Sequence, residues 1–213
     1  MSEFDNLLLG YRRFRADNYP RQRERYDLLA AQGQSPQTLI IACSDSRVDP
    51  SQIFDVDPGQ IFVVRNVAAL VPPFETTPGL HGVSAALEFA VQVLKVSQIV
   101  VMGHGMCGGA RAALTQELHG APPGEGGFIS DWIGLLDDVR QPVAEQYGTE
   151  SREAERAMEH AAVQVSLRNL RSFPCIREKE RDGKIKLHGT FFAISDGVLH
   201  ILDETTGGFY PAD

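Results

Sequence analysis

Two cysteines and one histidine carry the side chains best able to hold a metal ion. Cys43 is the last residue of an apolar run, whereas His104 and Cys107 closely follow another such run. Because ligands in open α/β sheets gather outside the carboxyl ends of the strands, the three side chains can converge on one point. Two thiolates and an imidazole suit zinc, and three protein ligands leave the fourth tetrahedral position open. The pattern therefore predicts a catalytic zinc site.

The spacing of His104 and Cys107 lets both side chains reach one metal ion from a single tight loop. Neighbouring glycines, among them Gly105 and Gly108, permit backbone conformations that larger residues resist. Cys107 also precedes a predicted helix, whose positive N-terminal end favours the thiolate that a metal ligand requires.

Asp45 and Arg47 follow the first cysteine closely. A zinc centre with two thiolates is nearly neutral, so it lowers the pKa of bound water less strongly than a three-histidine centre does. Arg47 can pair with Asp45 through a bidentate contact, cancel its charge and hold it off the metal. We therefore expect Asp45 to accept a hydrogen bond from zinc-bound hydroxide and to orient it.

Buried strands and helices must position these residues. Short apolar runs predict strands over residues 38–43, 60–64 and 98–102. Helical periodicity covers residues 3–31, interrupted by Pro20, and helices are predicted over 79–96, from Ala110, and over about 131–147 and 150–172, where Pro174 ends the last one. Residues 184–202 read as a hairpin with its turn at 195–197. The pattern predicts an α/β fold, a mostly parallel central sheet flanked by helices, with an N-terminal helical arm and a C-terminal hairpin.

Length and composition are those of a soluble globular protein with one domain, residues 1–213. The chain is 43% hydrophobic and 23% charged with a formal net charge of -8, which argues against nucleic acid or an anionic membrane as a partner. Three cysteines are too few for a disulfide framework and favour a reducing compartment. We see no signal peptide and no apolar run of membrane-spanning length, so we expect a cytoplasmic protein.

Three segments together resemble the β-class carbonic anhydrases, in the plant-like branch. They are residues 43–47 (CSDSR), 65–68 (RNVA) and 103–109 (GHGMCGG), which occur in the same order and at similar separations. The resemblance extends over nearly the whole chain. It implies one zinc ion per subunit held by Cys43, His104 and Cys107, with Asp45 and Arg47 beside it.

The reaction implied by the resemblance is the reversible hydration of carbon dioxide to bicarbonate and a proton through zinc-bound hydroxide. The resemblance also implies a small substrate pocket at a dimer interface, with Gln34 as a polar donor and Phe62 and Val67 as apolar walls. Phe89 stands where this branch often has a tyrosine, so the wall is kept but a hydroxyl is missing.

Two alternative functions use the same residues. Relatives on this fold hydrolyse carbonyl sulfide or carbon disulfide with the same zinc ligands. Hydrolysis of these sulfur substrates is therefore an alternative function. A non-catalytic zinc or redox sensor is a further alternative, in which the two cysteines release the metal on oxidation. That interpretation gives the Asp45–Arg47 pair no purpose.

The N-terminal arm, residues 1–32, presents an apolar stripe that includes Phe4, Leu7 and Tyr11. We expect this stripe to pack on a partner subunit, and the apolar helix over residues 79–96 to offer a second contact. Packing against the chain's own core is the alternative for either element. The predicted assembly is a homodimer or homotetramer.

Overall fold

A six-stranded sheet forms the centre of the computed structural model, which describes residues 2–212. The strands lie in the order β2-β1-β3-β4-β5-β6, and the first four are mutually parallel. The last two pairings are antiparallel. The strand bounds are Thr38–Cys43 (β1), Ile61–Asn66 (β2), Gln98–His104 (β3), Lys186–Ala193 (β4), Val198–Asp203 (β5) and Gly208–Pro211 (β6).

Helices cover both faces of this sheet. Alternate residues of β1 belong to different apolar clusters, with Leu39 and Ile41 in one and Ile40 and Ala42 in the other. Side chains alternate across a strand, so this split shows that β1 is packed on both faces, which explains its unbroken apolar sequence. The predicted α/β fold is confirmed.

The helices include one long central helix and several short ones. Their bounds are Glu3–Arg13 (α1), Tyr19–Arg21 (α2), Arg23–Gln32 (α3), Pro50–Ile53 (α4), Gly82–Glu88 (α5), Gly108–Thr115 (α6), Gly127–Ile133 (α7), Asp137–Tyr147 (α8), Arg152–Leu170 (α9) and Pro174–Arg181 (α10). Wider π-helical turns over Phe14–Asn18 and Phe89–Leu94 continue α1 and α5. Helix α9 contributes buried residues to both apolar clusters, so it is the main support of the sheet.

The structure corrects two details of the sequence interpretation. Pro174 does not simply end a helix but begins α10, because the first turn of a helix needs no N–H from its first residues. The break in the N-terminal arm falls at Gln22, whose φ of −105° and ψ of 8° are not helical, and Pro20 lies inside the short helix α2.

The carboxyl half of the arm contacts the loop that precedes β2. Arg25 donates a hydrogen bond to the carbonyl oxygen of Pro58 at 3.1 Å and forms an ion pair with Asp57 at 3.3 Å. Helix α1 has no buried residue, and its Phe4 and Leu7 are 66% and 70% exposed. Within residues 2–212, none of the helices combines the length and apolarity needed to span a bilayer.

Candidate metal centre

The register of two neighbouring strands brings the first two predicted ligands together. Strands β1 and β3 are parallel, and Ala42 lies opposite Met102. Cys43 ends β1 and His104 ends β3, so their side chains emerge at the same edge of the sheet. Both residues are buried, at 6% and 1% exposure.

A tight loop then returns the chain so that Cys107 faces the same point. Met106 adopts a φ of 57°, in the left-handed region, and Gly105 donates its N–H to the carbonyl oxygen of Phe192 at 3.0 Å. Cys107 follows as the N-cap of α6 and is 4% exposed. The ligand atoms of the two cysteines and the histidine all lie within 4.8 Å of one another.

The imidazole of His104 is prepared to bind a metal ion. Its Nδ1 lies 2.9 Å from the carbonyl oxygen of Gly105, which can only accept, so Nδ1 carries the proton and Nε2 has a free lone pair. Nε2 is buried and has no hydrogen-bond partner among the described residues. A buried nitrogen without a partner is costly unless a ligand uses it. Its position beside two thiols fits a zinc ion.

The two thiols influence each other strongly. A hydrogen bond from Cys107 holds the pKa of Cys43 well below its usual range, and His104 lowers it further. The same contact, together with burial, raises the pKa of the Cys107 thiol. The two thiols and the free nitrogen of His104 together form a donor set that suits zinc.

Asp45 and Arg47 form the predicted pair. The Arg47 guanidinium donates from Nε to Asp45 Oδ1 at 2.9 Å and from Nη2 to Oδ2 at 2.6 Å. These hydrogen bonds hold the pKa of Asp45 well below its usual range. Arg47 Nη2 also donates to the carbonyl oxygen of Met106 at 3.0 Å. The pair thus connects the segment after Cys43 with the loop before Cys107.

Arg65, at the end of β2, holds the backbone of the Cys43 segment. Its guanidinium donates to the carbonyl oxygens of Cys43 at 2.9 Å and Asp45 at 2.7 Å, and forms an ion pair with Asp49 at 2.9 Å. Sequence reasoning assigned Arg65 to a motif but not to this contact. The role depends on the β1–β2 register, which places Ala42 beside Arg65.

Glu159, in α9, also supports the loop and was missed by the sequence interpretation. Its Oε1 accepts the backbone N–H of Cys107 at 3.1 Å, although the side chain is only 3% exposed. Arg156 lies 3.4 Å from the other carboxylate oxygen and compensates part of its charge. Glu159 lies 52 residues from Cys107, and no local pattern in the sequence predicts their contact.

The predicted substrate residues lie in two different places. Val67 directly follows β2 and lies against the first turn of α6, just after Cys107, since a Cβ added to Gly109 would come within 2.6 Å of Val67 Cγ1. Asn66 is the partner of Cys43 in the β1–β2 register. Phe62 lies four residues before Asn66, so it is about 13 Å from Asn66 towards the amino end of β2. Phe89 packs on Phe62 with ring centroids 5.8 Å apart.

Gln34 lies four residues before β1, at the amino end of the sheet, and its side chain is exposed. The structure of one chain therefore brings Cys43, His104 and Cys107 together with Asp45, Arg47 and Val67. It places Gln34, Phe62 and Phe89 away from them.

These features define a zinc site of two cysteines and one histidine at the carboxyl end of a parallel sheet. A family model described as carbonic anhydrase matches residues 38–199. A curated relative, β carbonic anhydrase 3 of Arabidopsis thaliana, is 35% identical over 209 residues, covering 96% of this chain and 80% of the relative.

Two solved structures are similar over most of their length. The β-carbonic anhydrase CcaA has a TM-score of 0.90 at 30% identity and covers 99% of this chain and 100% of its own. A tetrameric β-carbonic anhydrase of Sordaria macrospora has a TM-score of 0.79 at 32% identity, covering 93% and 96%.

The chain belongs to the carbonic anhydrase family, in its β class. It is an enzyme of that activity, with zinc as its cofactor.

Proposed function

We propose that this chain hydrates carbon dioxide reversibly, with Cys43, His104 and Cys107 as the zinc ligands. The observation that carries this proposal is the buried, unpartnered Nε2 of His104 beside two thiols. Zinc bound there lowers the pKa of its water towards about 7, which supplies a nucleophile at neutral pH. The protein has to hold the ion, orient the nucleophile and admit the substrate.

Asp45 is the residue we assign to orientation. Arg47 occupies it with three hydrogen bonds, counting the backbone N–H of Arg47 at 2.9 Å, and keeps it ionised. An ionised carboxylate only accepts hydrogen bonds. Asp45 can therefore accept a hydrogen bond from the nucleophile, which orients the lone pair of the nucleophile towards the substrate. Since Arg47 also donates to the carbonyl oxygen of Met106, in the loop before Cys107, the Asp45 carboxylate is fixed relative to the ligands.

We further propose that a second copy of the chain completes the substrate pocket. Val67 supplies an apolar wall from the same chain, and Gln34, Phe62 and Phe89 serve the metal centre of a partner. The position of these three residues at the opposite end of the sheet supports this assignment, as does the 42% exposure of Phe89. An apolar pocket suits carbon dioxide, which requires little polar recognition, and Gln34 supplies one hydrogen bond to an oxygen.

The N-terminal arm, residues 1–32, is the element we propose to pack on the partner subunit. Its Phe4, Leu7 and Tyr11 are 66%, 70% and 55% exposed, and an exposed apolar stripe of this kind marks a surface for protein contact. A homodimer is the smallest assembly that satisfies both this surface and the shared pocket. The similar carbonic anhydrase of Sordaria macrospora is tetrameric, which supports a homotetramer as the larger alternative.

We place the protein in the cytoplasm. All three cysteines, Cys43, Cys107 and Cys175, are free thiols in the structure. A reducing compartment preserves such thiols, two of which the metal requires. Fractionation of cells that express the protein, followed by immunodetection, tests the assignment, and a secreted product would contradict it.

Carbon dioxide is the substrate we favour over carbonyl sulfide and carbon disulfide, because the similar proteins are named carbonic anhydrases. Stopped-flow hydration by the zinc-loaded protein, measured on both sides of neutral pH, tests this choice. We expect a rate that rises with pH and is absent from Cys43→Ala. Turnover of a sulfur substrate without carbon dioxide hydration would assign the hydrolase function, and no turnover at all would assign the sensor.

A further inference from the structure

The turn after β2, residues 67–71, passes beside the metal centre in a strained conformation. Ala68 and Ala69 have φ angles of 62° and 55°, in the left-handed region that is unfavourable for residues with a Cβ atom. Both alanines are buried, at 5% and 1% exposure. Such strain persists only where surrounding contacts hold it, and it is concentrated near functional sites.

Side chains from two elements hold the middle and far end of this turn. Asn66 accepts the N–H of Leu70 at 2.8 Å and donates its amide to the carbonyl oxygen of Leu70 at 2.9 Å. From α9, Ser166 accepts the N–H of Val71 at 3.2 Å and Asn169 donates to its carbonyl oxygen at 2.8 Å. These contacts fix the backbone but do not reach Val67.

The first residue of the turn is held by a tryptophan instead. The indole Nε1 of Trp132, in α7, donates to the carbonyl oxygen of Val67 at 2.9 Å. Trp132 is the only tryptophan of the sequence. On the other side, Val67 lies so close to Gly109 that a Cβ there would approach its Cγ1 to 2.6 Å. Val67 is therefore fixed between α7 and the first turn of α6, which directly follows Cys107.

We propose that Trp132 is a positioning residue, which sets the place of the Val67 side chain in the substrate wall. This inference rests on the proposed function, in which Val67 lines the pocket. Trp132 contacts neither the metal ligands nor Asp45 in the hydrogen bonds of the structure, so its effect should fall on substrate binding and not on the chemical step.

Trp132→Phe tests this role, because it removes the N–H and keeps an aromatic ring. We expect the KM for carbon dioxide to rise about fivefold, as the loss of one net hydrogen bond predicts. The kcat and the zinc content should stay as in the wild type. Asn169→Ala is the matched control, since it removes a hydrogen bond from the far end of the same turn. It should lower the melting temperature without changing KM.

A double-mutant cycle with Val67→Ala makes the assignment specific. If Trp132 acts through Val67, Trp132→Phe adds no further increase in KM once the valine side chain is gone. An unchanged KM in Trp132→Phe, or the same increase in the Val67→Ala background, would overturn the proposal. A wild-type enzyme that does not hydrate carbon dioxide would instead overturn the proposed function on which it rests.

Discussion

The two ends of the parallel strands differ sharply in how they are built. At the carboxyl end Cys43, His104 and Cys107 are buried, at 6%, 1% and 4% exposure, and hydrogen bonds fix the backbone around them. At the amino end Gln34 is exposed and Phe89 is 42% exposed. The metal ligands at the carboxyl end are packed like core residues, whereas Gln34 and Phe89 at the amino end are exposed like residues of a subunit interface.

The comparison indicates that one chain forms the metal centre by itself. Metal ligands must be held rigidly, because small displacements change the coordination geometry. Buried ligands, the Asp45–Arg47 pair and Glu159 meet this requirement within the chain. An apolar wall can be formed across a subunit interface, so we assign the part of it that Val67 does not supply, namely Phe62 and Phe89, to the amino end of a second copy.

The largest expected effect follows removal of a metal ligand from the carboxyl end. Cys107→Ala should lose bound zinc and lower the carbon dioxide hydration rate about a thousandfold or more, because the nucleophile is no longer generated at neutral pH. Zinc analysis and stopped-flow kinetics measure both effects. Cys175→Ala is the matched control and should keep both zinc and rate; a zinc-loaded, active Cys107→Ala enzyme would refute the ligand assignment.

The next effect is expected at Asp45, which contacts Arg47 at the same end. Asp45→Asn should retain zinc but lower kcat/KM about a hundredfold, since the amide presents a donor where the nucleophile needs an acceptor. Stopped-flow assays at matched zinc content give the comparison. Asp196→Asn, in the turn of the C-terminal hairpin, serves as control. A normal rate in Asp45→Asn would remove Asp45 from the orientation of the nucleophile.

Glu159 provides a smaller test of how firmly the carboxyl end is held. Glu159→Ala should weaken zinc binding about tenfold, because the N–H of Cys107 loses its acceptor. Glu159→Gln keeps an acceptor oxygen and should restore most of the affinity. Competition with a chelator measures affinity independently of activity, and Glu155→Gln, one turn away, is the control. Equal affinities in all variants would show that the contact does not support the ligand.

The smallest expected effect concerns acid stability near the same end. Burial, with added repulsion from Arg156 and His200, lowers the pKa of His160 from 6.5 to about 4. The unfolded chain binds this proton more readily, so the free energy of unfolding should fall as the pH drops from 6.5 to 4. His160→Phe should flatten this decline in chemical denaturation. The exposed His119→Gln should leave it unchanged, and an equal slope in His160→Phe would contradict the assignment.

The metal ligands and their strands were predictable because local signals define them. The strand over residues 38–43 matches β1, and Cys43 and His104 end strands that pair in the sheet. The hairpin turn at residues 195–197 separates β4 from β5 as predicted. In each case an apolar run ends in polar or glycine residues. For Cys43 and His104, the parallel register of β1 and β3 then brings the two strand ends together.

Features that depend on distant contacts were not predictable from local patterns. Glu159 and Trp132 lie in helices, and their partners Cys107 and Val67 are 52 and 65 residues away. Strand β6 was missed because Gly208–Pro211 is short and ends in proline, and it forms only by pairing with β5. The position of Phe62 relative to the metal centre likewise depends on the sheet register.

A mixed oligomer tests the division of the site between two copies most directly. One chain carries Cys43→Ala and lacks the metal centre, and the other carries Phe62→Ala with Phe89→Ala and lacks the wall. Two different affinity tags allow the mixed species to be isolated after coexpression, and stopped-flow hydration is then measured per dimer. Each pure variant should have a strongly reduced rate.

We expect the mixed dimer to recover about half of the wild-type rate, because one of its two sites combines an intact metal centre with an intact wall. A mixed dimer no more active than the mean of the two pure variants would contradict the account. The metal centre and the wall formed by Phe62 and Phe89 would then belong to the same chain.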